Sequence, residues 1–89
     1  MSMGCEAIKV LESKHMLSTL LFLLGNGSCT KMELYNGVSK NPRMPEKLEE
    51  LVGLGLLTIG TRDRATEVCL TDKGRDVASA IRNICDMIG

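Results

Sequence analysis

From Glu6 to Leu24 the apolar residues fall at Ile8 and Leu11, then at Leu17, Leu20, Leu21 and Leu24. Steps of three and four are helix spacing, so this stretch predicts a first helix. Phe22 and Leu23 widen its stripe, as in a helix buried on several sides, and Ser13 can restart it after a break. Gly25-Asn26-Gly27-Ser28 then supplies a stop and a turn. Thr30-Lys31-Met32-Glu33 has the pattern of a capping box, in which the Thr30 hydroxyl and the Glu33 carboxylate each accept the other's backbone N–H. A short helix through Leu34 and Tyr35 follows, ending at Asn36-Gly37, both comfortable at positive φ. Ser28-Cys29-Thr30 ahead of it suits a strand of one or two pairs.

Between Val38 and Leu54, Met44, Leu48, Leu51 and Val52 mark one helical face, with Glu46, Lys47, Glu49 and Glu50 opposite. Asn41 as cap with Pro42 in the first helical position is one good start. Pro45 argues for a later one, because it removes a backbone donor and disfavours the helical state of Met44. Pro42 is the expected start. Gly53-Leu54-Gly55 closes this helix. Leu56 to Ile59 reads as a strand, Gly60 to Ala65 as a polar loop, and Thr66 to Leu70 as a second strand, together an antiparallel hairpin. Thr71 caps a last helix to about Met87, with Val77, Ile81, Ile84 and Ile88 repeating at four, three and four.

The predicted order is helix, short strand, helix, helix, hairpin, helix, a mainly helical α+β class in one domain over 1–89. The two short helices, about 30–54, form a helix-turn-helix around Asn36 to Lys40; the hairpin spans about 56–70 and the last helix about 72–88. At Leu48-Glu49-Glu50-Leu51-Val52-Gly53-Leu54-Gly55-Leu56-Leu57 and Leu70-Thr71-Asp72-Lys73-Gly74-Arg75 the chain resembles winged-helix regulators of the MarR, PadR and HxlR type, small prokaryotic or archaeal members included. The first segment is similar to the family's close of the recognition helix, the second to its entry into the last helix. With Thr30 and Glu33, the resemblance covers roughly residues 13–88.

The resemblance implies double-stranded DNA as partner, with the recognition helix in the major groove. Position by position it puts Ser39, Lys40, Asn41, Arg43 and Lys47 at the DNA. Arg43 suits guanine and Asn41 adenine, if Asn41 is not spent on capping. Lys40, Lys47 and Lys31 suit phosphates. Arg62 and Arg64 fall at the wing tip, against the minor groove or backbone. A homodimer is expected through Val77, Ile81, Ile84 and Ile88 of the last helix, with Ile8 and Leu11 of the first. The effector stays unread, since Phe22 and Tyr35 are the only aromatic residues and no ligand pocket is legible.

Composition changes this picture in three ways. The hydrophobic fraction is 44% with 2% aromatic, so the core must be aliphatic. The formal net charge is zero, and residues 28–70 balance Lys31, Lys40, Arg43, Lys47, Arg62 and Arg64 against Glu33, Glu46, Glu49, Glu50, Asp63 and Glu67. DNA binding must therefore come from local arrangement of charge. The rival reading is a winged-helix protein-interaction module that does not bind DNA. Finally, Cys5, Cys29, Cys69 and Cys85 have no metal-ligand spacing and His15 is the single histidine, so neither a metal nor another cofactor is expected. The cysteines read as small buried hydrophobes, with redox sensing by Cys5 and Cys85 as the sharper alternative. His15 reads as a partly exposed structural histidine rather than a proton switch. One histidine, no nucleophile–base pair and no phosphate-cradling loop leave little for an enzyme. The run Leu20–Leu24 is far short of the roughly 20 residues of a membrane span, so a soluble, cytoplasmic protein is expected.

Overall fold

In the computed structural model, which describes residues 6–89, the first apolar stretch forms two helices, not one. These are α1 (Glu6–Leu11) and α2 (Met16–Asn26). The buried residues of α2 are Met16, Thr19, Leu20 and Leu23, while Leu17 is exposed. At about 100° per residue, a continuous helix would put Leu11 on nearly the opposite side from Met16 and Leu20. The turn through Glu12–His15 removes that conflict, with His15 in the left-handed region at φ 71, and Leu11 packs on the core.

Gly27 closes α2 at φ 73, its N–H donating to Leu23 O at 2.8 Å. A short strand, β1 (Cys29–Thr30), leads directly into α3 (Lys31–Gly37). The capping box forms as expected: Glu33 N donates to Thr30 Oγ1 at 3.1 Å, and Thr30 N to Glu33 Oε1 at 2.9 Å. Gly37 does not use positive φ. It lies against the ring of Phe22 instead, which a Cβ there would have to displace.

The next helix, α4 (Met44–Gly53), starts two residues later than Pro42. Asn41 does not cap it. Its Oδ1 accepts from Arg43 N at 2.8 Å, an Asx turn that holds Pro42 outside the helix. Pro45 sits in the first helical turn, where its missing N–H costs nothing. At the other end, Gly55 N donates to Val52 O at 2.9 Å and Leu56 N to Leu51 O at 3.1 Å. With Gly55 at φ 77 this is a Schellman stop, and Leu51 and Leu56 are both buried.

The chain then runs as β2 (Leu57–Arg62) and β3 (Ala65–Leu70), paired antiparallel from Leu57↔Leu70 to Arg62↔Ala65. The expected six-residue loop shrinks to Asp63-Arg64. Both take positive φ, 48° and 69°, the signature of a type I′ turn. That turn matches strand twist but normally uses Asn or Asp followed by Gly, so no composition signal marked it. β1 adds to the far side of β3, giving the order β1-β3-β2.

Helix α5 (Asp72–Ile88) is bound at its start to the end of α4. Thr71 Oγ1 accepts from Gly74 N at 2.9 Å and donates to Gly55 O at 2.6 Å. Thr71 N donates to Leu56 O at 3.0 Å and Lys73 Nζ to Leu54 O at 3.1 Å. Gly74 lies so close to this turn that a Cβ would overlap Leu56 O. Around the junction, Met16, Leu20, Leu23, Leu34, Leu48, Leu51, Leu57, Val68 and Ala78 form the aliphatic core.

Two substitutions test this geometry by urea denaturation. Gly74→Ala should lose about 3 kcal/mol, the upper end of ordinary overpacking, because the obstruction is backbone; a wild-type midpoint would contradict the close approach. Arg64→Gly should gain about 0.5–1 kcal/mol by relieving a left-handed non-glycine residue; a loss would contradict the type I′ turn.

Candidate nucleic-acid interface

The two helices of the helix-turn-helix, α3 and α4, are joined through Val38–Arg43. In this connection Asn41 N donates to Ser39 Oγ at 3.1 Å and Met44 N to Asn41 O at 3.0 Å. Ser39 and Asn41, both expected at the DNA, are thus engaged in holding the turn. Asn41 Oδ1 accepts from Arg43 N, which ties this side chain into the turn. Lys40 and Arg43 are exposed. They stand at the entrance to α4, where a recognition helix meets base edges.

Along α4 the inner side is Met44, Leu48 and Leu51, all buried. By the same 100° rule, Glu46, Glu49 and Glu50 come round to the outside, and all three are exposed. Lys47 lies on the flank, half-buried. Its Nζ donates to Ser13 Oγ, in the turn between α1 and α2, at 2.7 Å. The periodic pattern put Lys47 with the glutamates; the structure separates it from them.

The charges near the hairpin are sorted into two grooves. One is lined by Thr30, Lys31, Met32, Arg64, Ala65 and Thr66, bringing Lys31 and Arg64 together from the start of α3 and the wing tip. Met32, which the sequence reading passed over, is 73% exposed there. The other is lined by Ser28, Cys29, Thr30, Glu33, Asp63, Ala65 and Glu67 and is acidic. The Thr30 backbone N–H holds the Glu33 carboxyl below the usual carboxylate range, with help from the Thr30 side chain. Arg62 ends β2, one residue before the turn.

The candidate dimer residues divide by burial. Leu11, Val77 and Ile81 pack against the domain's own core. Ile8, Ile84 and Ile88 stay exposed at 47%, 55% and 84%, and Met87 joins them at 85%. Of the cysteines, Cys29 is buried, Cys69 half-buried and Cys85 exposed; Cys5 lies outside the described residues. Burial, then the nearby Glu33, Cys69 and Glu67, push the Cys29 thiol up to about 11, so it stays protonated and unreactive. No group of three or more His, Cys, Asp or Glu among the described residues could hold a metal ion. No helix among them is long and apolar enough to cross a membrane.

No protein-family model and no curated protein matches the chain. Solved structures do. The Salmonella typhimurium protein ytfH aligns at TM-score 0.74 and 24% identity, over 93% of this chain and 78% of that one. A protein from Archaeoglobus fulgidus, AF1382, aligns at TM-score 0.73 and 22% identity, over 93% and 97%. Sso10a-2, a DNA-binding protein from Sulfolobus solfataricus, aligns at TM-score 0.65 and 19% identity, over 80% and 78%. At these identities the likeness is one of fold, and it agrees with the element order and the sheet. The chain has the winged helix-turn-helix fold, with α3 and α4 as the helix-turn-helix and the β2–β3 hairpin as its wing.

Proposed function

We propose that this chain is a sequence-specific, double-stranded DNA-binding transcriptional regulator, not an enzyme, that acts in the cytoplasm as a single-domain homodimer. The observation that carries the reading is the exposed pair Lys40 and Arg43 at the entrance to α4 of a winged helix. Sso10a-2, which shares this fold, is a DNA-binding protein, and that supports the reading by analogy.

The acidic outer side of α4 decides how the helix is used. Laid flat in the major groove, Glu46, Glu49 and Glu50 would face phosphates and be repelled. Entering end-on, α4 presents Arg43 to a guanine edge and Lys40 to a phosphate, while Glu49 and Glu50, beyond its first turn, trail toward solvent. Asn41 then acts through the turn rather than on adenine. Lys31 and Arg64 take the backbone beside the wing, joined by Lys47. The exposed Ile84, Met87 and Ile88, at helical spacing, would be covered by a second copy with Ile8 alongside. Two protomers double the modest phosphate contact each one offers.

A mixed duplex titrated at rising salt tests this. With about five basic groups per protomer engaged, log affinity should fall against log salt with a slope of about −4 or steeper. Arg43→Ala should cost about 1–3 kcal/mol and relax specificity at one base pair. The double change Glu49→Gln, Glu50→Gln should raise affinity about tenfold by removing like charge. Absence of binding at low salt would overturn the regulator reading in favour of a protein-interaction module.

A further inference from the structure

Lys47 and Ser13 are 34 residues apart, yet Lys47 Nζ donates to Ser13 Oγ at 2.7 Å in a half-buried setting. The contact joins the flank of α4 to the turn between α1 and α2. That turn is well defined: Ser13 N donates to Val10 O at 3.1 Å, Met16 N to Ser13 O at 3.2 Å, and His15 holds φ 71. A lysine side chain has four rotatable carbons, and its ammonium normally samples many positions. Here one N–H is fixed on a hydroxyl carried by a separate element, and two donors remain.

We propose that Ser13 is a positioning residue for DNA binding: it holds the Lys47 ammonium on the flank of α4, set for a phosphate beside the groove that Arg43 reads. The inference rests on the DNA-binding reading above and deepens it. Three features favour it over ordinary surface contact. Lys47 is the cation of α4, and its ammonium is drawn aside to the α1–α2 turn although Glu50 stands one turn further along the helix. Its partner is neutral, so the tether leaves the full positive charge in place, which an Asp or Glu partner would cancel. The Ser13 hydroxyl serves as the acceptor that fixes that ammonium, so its effect on the phosphate runs through Lys47. Side-chain freedom that would otherwise be lost on binding is already lost in the free protein, which is preorganisation.

A double-mutant cycle on the full chain tests this, read as affinity for a duplex across a salt series. Ser13→Ala should weaken binding about three- to tenfold, the cost of immobilising one long side chain on association. Its salt slope should stay at the wild-type value, because the Lys47 charge remains. Lys47→Met should lower the slope by about 0.9, one phosphate contact. In the Lys47→Met background Ser13→Ala should have no effect, and Ser13→Thr, which keeps the acceptor, should restore wild-type affinity. Relaxation of the Lys47 ammonium in free protein should show it loosening in Ser13→Ala. An equal loss from Ser13→Ala with and without Lys47, or no loss at all, would overturn the positioning role. If wild-type protein binds no duplex, the first titration shows it, and the DNA-binding reading and the positioning role fall together.

Discussion

The start of α5 lies so near the turn after α4 that residue 74 has no room for a side chain, and the Thr71 hydroxyl spans the gap, bonded to Gly55 O and Gly74 N. Much of the domain hangs from this junction. The Schellman stop at Gly55 sends the chain out as β2 from Leu57; β3 returns at Leu70, directly opposite Leu57, one residue before Thr71. Both feet of the hairpin are therefore fixed to the end of α4. The reach from α4 to the wing tip depends on one close backbone contact and the strand register. A cap hydroxyl, a left-handed glycine and a glycine without a Cβ are three separate requirements, and Thr71, Gly55 and Gly74 meet them.

These requirements are local, which is why so much of the fold can be read along the chain. Thr30 and Glu33 satisfy each other within one turn, and Thr71 caps within another. Other features are less legible, because they rest on tertiary fit or on local chemistry put to a different use. The break before α2 exists because Leu11 and Leu20 must reach one core from helices in different phase, while apolar spacing alone reads across the gap. The tight hairpin turn uses Asp63 and Arg64 at positive φ, where composition would lead one to expect glycine. Asn41 has the chemistry of a helix cap but spends it on the Asx turn before Arg43, so α4 begins at Met44.

The candidate site was legible as a set of charges but not as an arrangement. Counting gave equal numbers of acids and bases over residues 28–70, with no way to say which meet. In the fold, Lys31 shares a groove with Arg64, and Glu33 shares another with Asp63 and Glu67. Glu46, Glu49 and Glu50 turn outward while Lys47 is drawn aside to Ser13. A neutral chain thus separates its signs over a few ångströms. For the proposed DNA-binding role this favours contact by the tip of α4 over contact along its length.

The most direct measurement is selection of bound sequences from a random pool of duplex DNA. The account predicts enriched sites with two half-sites related by two-fold symmetry, about 10–10.5 base pairs apart centre to centre or a multiple of that, each with an invariant guanine for Arg43. Recovery of no common sequence, or of a single motif without a symmetric mate, would contradict it.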